Sequence, residues 1–257
     1  MVKRERHQFI IDKVEREGRV LTKELVKELN LAEDTVRKDF QELSAQGKVQ
    51  RFHGGILKLA DKPNKTIDFD ERILDQVSIK QELSEAAVKY IKNKHVLFID
   101  GGTTNLKFAE KIPFEFIGTV ITNAPNIAVA LCNHPNIEIV VIGGILNKMS
   151  NVITGSKAIE QIQEMNIECC ILDVSSISEE YGITYHLSDE AILKREIINH
   201  SRQIIVIANK RKLGSISTFK AADASVIDVL ITDEDDEEII QKYRSLNIEL
   251  VSVGISI

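Results

Sequence analysis

From residue 96 onward the chain alternates short, β-rich apolar runs with helix-length stretches, and no other feature narrows its fold as much. The runs fall at 96–99, 119–121, 137–142, 169–174, 203–208, 229–232 and 249–253. Between most of them lie candidate helices at 105–112, 126–132, 156–164 and 188–201. A strand that is apolar on both sides needs cover on both faces, which a parallel sheet flanked by helices supplies. The pattern predicts a mostly parallel α/β domain. In such sheets ligands sit beyond the carboxyl ends of the strands, so the loops after the runs are where to look.

Charge separates this region from what precedes it. Residues 1–60 hold 13 Lys and Arg against 10 Asp and Glu, a net of +3; the remaining 197 residues hold 20 against 29, a net of −9. A basic head on an acidic body suggests that the head alone meets a polyanion. No apolar run approaches the roughly 18 residues of a membrane span, and Met1-Val2-Lys3-Arg4-Glu5-Arg6 leads into a charged helix rather than a secretory signal. The three cysteines lack metal-ligand spacing, and their odd number argues against a disulfide framework. The six histidines show no ligand spacing either. These exclusions describe a cytoplasmic protein with no metal and no cofactor.

In the head, Phe9, Ile10 and Val14 repeat at helical spacing and Gly18 stops the helix. Thr22 is placed to cap a second helix with Leu25, Val26 and Leu29 inside, and Asn30-Leu31 forms a turn. A third helix runs over 32–46 with Val36, Phe40 and Leu43 on one stripe. Three short helices with a tight turn before the last make a helix-turn-helix. Opposite the stripe stand Asp34, Arg37, Lys38 and Gln41. The forked guanidinium of Arg37 matches the two acceptors of guanine, while Lys38 suits a phosphate. Residues 48–56 then read as a strand pair with glycines at its turn, a wing whose Arg51 and His53 face the DNA backbone or minor groove.

Thr35-Val36-Arg37-Lys38-Asp39-Phe40 followed by Arg51-Phe52-His53-Gly54-Gly55 resembles the winged head of DeoR-family bacterial transcriptional regulators. The resemblance implies binding of double-stranded operator DNA. Ala32 departs from the family's usual Ser and removes a helix cap, a loss of about 1 kcal/mol that Glu33 and Asp34 partly offset through the helix dipole.

These readings divide the chain into a winged helix-turn-helix domain over 1–57, a polar linker over 58–66, and an effector domain over 67–257. Phe69, Arg72 and Lys80 follow the family's spacing with Gln76 where Asn is usual, and read as a lead-in helix to the second domain.

The first parallel-strand candidate ends in Asp100-Gly101-Gly102-Thr103-Thr104-Asn105, running into a helix. Glycines let backbone approach an anion, threonines donate hydroxyls, and a helix N-terminus offers free N–H groups. Neither a P-loop nor a dinucleotide fingerprint is present. Thr122-Asn123 ends the second run and Gly143-Gly144 the third. This order resembles the DeoR effector domain, which is related in fold to ribose-5-phosphate isomerase and binds phosphorylated sugars. The resemblance implies Asp100 as a hydroxyl acceptor, residues 101–105 as the phosphate or sugar cradle, Thr122 and Asn123 as lining, and Glu190, Lys194 and Lys212 as charged contacts. Taken alone, Glu190 and Lys194 are an i,i+4 pair of the kind that decorates helix surfaces. Where the family has Leu-Gly-Ala-Asp-Gly-Ile, this chain has Leu172-Asp173-Val174-Ser175-Ser176-Ile177, which sets a new carboxylate, Asp173, beside the expected site. Asn209 replaces the usual Asp.

The reading is therefore a transcriptional regulator, a repressor of carbohydrate genes, controlled by a phosphorylated sugar-like effector. One head reads one half-site, so a homodimer or homotetramer is expected. The alternative is a sugar-phosphate isomerase carrying a DNA-binding head, which would need a base placed to move a proton at the carbon adjacent to the substrate's carbonyl.

Overall fold

The computed structural model describes residues 2–52, 54–58, 69–91 and 96–254. Two compact units divide the chain, Met1–Lys65 and Thr66–Ile257. Lys58 pairs with Val49 in a strand, while 59–66, the rest of the expected linker, lie outside the described residues, as does His53.

The first unit comprises α1 (Lys3–Glu17), β1 (Arg19–Leu21), α2 (Thr22–Leu29), α3 (Glu33–Ala45), β2 (Val49–Phe52) and β3 (Gly55–Lys58). Gly18 stops α1 at φ 76, where its N–H still reaches the Val14 carbonyl, and Asn30 makes the turn before α3 in the left-handed region. Ile10, Val14, Leu25, Val36, Phe40 and Leu43 pack into one core with Val20, Val49 and Ile56 from the strands. The wing has three antiparallel strands in the order β1-β3-β2, one more than the expected pair. Gly55 is required where β3 crosses β1, because a Cβ there would lie 2.3 Å from the Val20 carbonyl oxygen. Thr22 is not the cap of α2. It is already the first helical residue, its N–H donates to the Gly54 carbonyl, and Glu24 instead accepts from the N–H of Leu21 at 3.0 Å.

Asp39 lies on the buried side of α3 beside the apolar stripe. Arg6 of α1 grips it with two donors, Nε to Oδ2 at 2.5 Å and Nη2 to Oδ1 at 3.0 Å, and His7 Nε2 stands 3.0 Å from Oδ1. Burial alone would raise this carboxyl, but the hydrogen bonds from Arg6 and His7 outweigh it and hold the group below its ordinary range.

The second unit opens with α4 (Phe69–Leu74) and α5 (Val77–Val88). There follow β4 (Val96–Ile99), α6 (Thr103–Glu110), β5 (Gly118–Thr122), α7 (Pro125–Leu131), β6 (Ile137–Val141), β7 (Ile145–Asn147), β8 (Val152–Thr154), α8 (Ser156–Gln163) and β9 (Cys169–Leu172). The remainder is β10 (Ser176–Ser178), β11 (Gly182–Tyr185), α9 (Ser188–Asn199), β12 (Ile204–Ile207), β13 (Phe219–Ala222), β14 (Val229–Thr232), α10 (Glu237–Arg244) and β15 (Glu249–Ser252). Seven of these strands, the seven expected runs, form one parallel sheet in the order β15-β14-β12-β9-β4-β5-β6.

Leu97, Ile99, Cys169, Ile171, Ile205 and Ile207 pack with Leu83, Phe108 and Ile127 of the helices. Their chain neighbours Phe98, Cys170, Leu172 and Val206 project to the opposite face and are fully buried too. Burial pushes the Cys169 thiol up to about 12 and Cys170 far above its usual value. Cys132, at the end of α7, is exposed. Two small antiparallel sheets, β10-β11-β13 and β7-β8, were not expected. No helix among the described residues is long and apolar enough to cross a membrane.

The chain adds β5 and β6 on one side of β4, then returns with β9 on the other side and continues outward through β12, β14 and β15. The order reverses between β4 and β9, and a crevice opens at such a point beyond the strand ends.

Replacing Asp39 by Ala leaves Arg6 without its partner and should weaken the joint between α1 and α3 by about 3 kcal/mol. Hydrogen exchange of α1 and α3 amides is expected to speed up by about two powers of ten. Because the native carboxyl titrates lower than the unfolded one, this contribution is complete above the unfolded value of about 3.9. It is lost as pH falls through the native value, so the wild-type head should lose part of this protection in acid.

Candidate functional site

On the first unit, Arg37, Lys38 and Gln41 are exposed on α3, with Thr35 half-buried in its first turn. Arg51 is exposed on β2. The apolar stripe of α3 explains this, since burying Val36, Phe40 and Leu43 turns residues 37, 38 and 41 outward. The Arg37 fork is not idle: Nε and Nη2 both donate to Glu33 Oε1, at 2.9 and 2.5 Å.

On the second unit the switch point sets two aspartates side by side, Asp100 after β4 and Asp173 after β9. Asp100 is fully buried. Its Oδ2 accepts from the Asp173 N–H at 3.0 Å, and its Oδ1 takes the ammonium of Lys194 from α9. Lys194 is itself only 3% exposed. Burial drives the Asp100 carboxyl up against the pull of Lys194. Burial also works against the ammonium, yet Asp100 and Glu190 more than offset it and hold Lys194 above its ordinary range. Tyr185 closes the group, its ring 5.9 Å from the ammonium and its hydroxyl donating to the Asp173 carbonyl at 2.7 Å.

A crevice of about 330 Å³ of empty space, open to solvent, lies over this group. Gly101, Gly102, Asp173, Glu190 and Lys194 line it, with Arg72 from α4. Gly102, at φ 135, cannot be replaced without strain, and a Cβ on it would lie 2.7 Å from Asp173 Cγ. Lys212 reaches the group through Asp173 Oδ1 at 2.8 Å. Among the described residues, Arg72 Nε and Glu190 Oε1 are buried with no hydrogen-bond partner. Two orphaned polar atoms in one crevice wall suit a ligand that carries both an acceptor and a donor.

The other expected residues stand behind this wall or away from it. Asp100 presents no free oxygen to a ligand hydroxyl, since both its oxygens are taken. Asn105 spends its amide on the carbonyls of Asp100 and Ile171. Thr122 Oγ1 donates to the Ile99 carbonyl, and Asn123 Oδ1 holds the Gly101 N–H. Thr103 and Thr104 are buried in the first turn of α6. Gly143 is tied to Gln161 of α8, and Gly144 abuts the Thr154 carbonyl of β8. Lys194 does not decorate a surface, because α9 turns it inward to Asp100.

Arg72 and Tyr185 are not among the site residues that the sequence points to. Arg72 had a signal in its spacing from Phe69 and Lys80, whereas Tyr185 had none. The two departures at Gln76 and Asn209 meet, Asn209 Nδ2 donating to Gln76 Oε1 at 2.6 Å. Gln76 sits at φ 51, a conformation Asn adopts more easily.

The family model described as the DeoR-like helix-turn-helix domain matches residues 6–61, and that of the DeoR C terminal sensor domain matches 75–234. The HTH-type transcriptional repressor GlcR of Bacillus subtilis is 30% identical over 91% of this chain and 89% of its own length. The glycerol-3-phosphate regulon repressor of Escherichia coli is 28% identical over 91% and 92%. Among solved structures, ribose 5-phosphate isomerase A from Methanocaldococcus jannaschii is similar with a TM-score of 0.40 and 12% identity, over 54% of this chain and 55% of that one.

Lys194→Met strands the buried Asp100 carboxylate and should cost about 3–5 kcal/mol. Adding Asp100→Asn removes the stranded charge and is expected to recover most of the loss. Urea denaturation of the two single variants and the double variant measures this coupling.

Proposed function

The chain belongs to the DeoR family of transcriptional regulators, and from that premise we propose that it is a repressor whose hold on operator DNA is set by a phosphorylated sugar-like ligand in the crevice at the switch point. The observation that carries the proposal is the crevice wall. Glycine backbone at the start of α6, the buried Lys194 ammonium and the orphaned Arg72 Nε favour an anion, and the orphaned Glu190 oxygen accepts from a hydroxyl. A relative named as the glycerol-3-phosphate regulon repressor supports the ligand class. Asp100 acts through Lys194, which it holds charged, rather than by touching the ligand.

In the head, Arg37 leaves Glu33 to read a base edge, Lys38 and Gln41 flank it, and Thr35 and Arg51 hold the phosphate backbone. One head covers one half-site, so the working form is a homodimer or homotetramer. Ligand and operator each favour one arrangement of that assembly, and their coupling is reciprocal. On this reading the ligand leaves chemically unchanged, and pentose phosphates incubated with the protein are recovered without isomerisation.

Two measurements test the reading. Arg37→Ala should abolish specific operator binding in gel-shift titration while leaving weak, salt-sensitive association with any duplex; unchanged operator affinity refutes the assignment. Thermal unfolding against sugar phosphates, each beside its unphosphorylated parent, should rise for a phosphate and not its parent. A ligand at 100 times its Kd adds about 2.7 kcal/mol. A panel without any such shift removes the phosphate-sensing claim.

A further inference from the structure

We propose that the Asp173 carboxylate is a built-in counter-anion, standing where the ligand's phosphate is to go, so that an anionic effector enters only by displacing it from Gly102 and Lys212. The inference rests on the reading of the crevice as the effector site.

The backbone of Asp173 is pinned on both sides. Its N–H is held by Asp100 Oδ2 at 3.0 Å and its carbonyl by the Tyr185 hydroxyl at 2.7 Å. The side chain is what remains free to move, and it is 19% exposed in the crevice wall. Where it rests is informative. The position a Cβ would take on Gly102 is 2.7 Å from Asp173 Cγ and 2.9 Å from Oδ2, so the carboxylate lies against the residue that opens α6. A helix N-terminus favours negative charge through its unpaired N–H groups. The other oxygen, Oδ1, takes the Lys212 ammonium at 2.8 Å. One carboxylate thus lies against the start of α6 and pairs with Lys212, the two features that would draw a phosphate.

A second group beside the same loop is unfilled. Asn123 is 1% exposed, holds the Gly101 N–H through Oδ1, and leaves Nδ2 without a partner among the described residues. The family pattern that this stretch resembles carries glycine where Asp173 stands, and glycine brings no charge. A phosphate in the cradle would meet the carboxylate at a few ångströms, where like charges exclude one another. Rotation of one side chain relieves this, opens the start of α6 and passes Lys212 to the incoming anion. Lys194, bound to Asp100 below, is unaffected. Asp173 therefore raises the concentration that a phosphorylated ligand needs to fill the crevice.

The test is isothermal titration of the full-length protein with inorganic phosphate, and with a triose, a pentose and a hexose phosphate beside their parent sugars, at constant ionic strength. Asp173→Asn keeps the shape and Asp173→Gly removes the side chain. Both retain the backbone N–H and carbonyl that Asp100 and Tyr185 hold. Phosphate affinity is expected to rise tenfold or more in each, with parent sugars unchanged, and adding Lys212→Met to Asp173→Asn should take most of the gain away. Equal, measurable affinities in wild type and both variants overturn the counter-anion and leave the crevice reading standing. Weaker binding in Asp173→Asn overturns it as well, making Asp173 a direct ligand contact. Failure of all the proteins to bind any phosphate overturns the crevice reading, and the counter-anion with it.

Discussion

A carboxylate with no access to water, at the point where a parallel sheet reverses its winding, has to be met by a cation the fold can hold in place. Asp100 is that carboxylate and Lys194 that cation, and the second unit is organised around their meeting. Lys194 rides on α9, whose Leu193 and Ile197 are sunk in the core, so α9 cannot slide along the sheet without stranding two charges. Breaking such a pair costs several kcal/mol, more than any single apolar contact in its neighbourhood. Glu190, one turn earlier on the same helix, is thereby fixed as part of the crevice wall. Asp173 is fixed from the other side, since the Asp100 oxygen that Lys194 does not use accepts its N–H.

The strands of the main sheet were legible because burial on both faces leaves the inner ones, β9 and β12 above all, as unbroken apolar runs. Each expected run became a strand, with ends that moved by no more than two residues. The small sheets were not legible, for the opposite reason. β10 is Ser-Ile-Ser and β7 only three residues long, too short and too mixed to show a period. In the head, the stripe of Val36, Phe40 and Leu43 was plain, but Asp39 beside it is buried only because Arg6, 33 residues earlier, comes to meet it. A helical wheel holds no information about such a partner.

The site divides the same way. The glycine loop after β4 was legible by its place at a strand end and by its family resemblance, since two glycines and two threonines running into a helix also suit a plain turn and cap. Much of what it was expected to do with side chains is done with backbone instead. Asn105, Thr122 and Asn123 hold main-chain groups in place so that Gly101 and Gly102 can form the wall. Glu190 and Lys194 looked like a surface pair because their spacing is all that a sequence displays, whereas the partner of Lys194 is 94 residues away. The departures at Gln76 and Asn209 seemed independent and are in fact two halves of one hydrogen bond. Arg72 and Tyr185 came from elements whose own periodicity says nothing about a crevice formed elsewhere.

The three cysteines have very unequal fates. Cys169 and Cys170 are consecutive on the central strand β9, so they project into opposite layers of the core, and burial keeps both as thiols rather than thiolates. Thiolate is the form that reacts with electrophiles. Cys132, exposed at the end of α7, is left as the one address open to a maleimide dye. The native chain can therefore carry a single fluorophore on its sensor unit without the removal of any residue from the sheet.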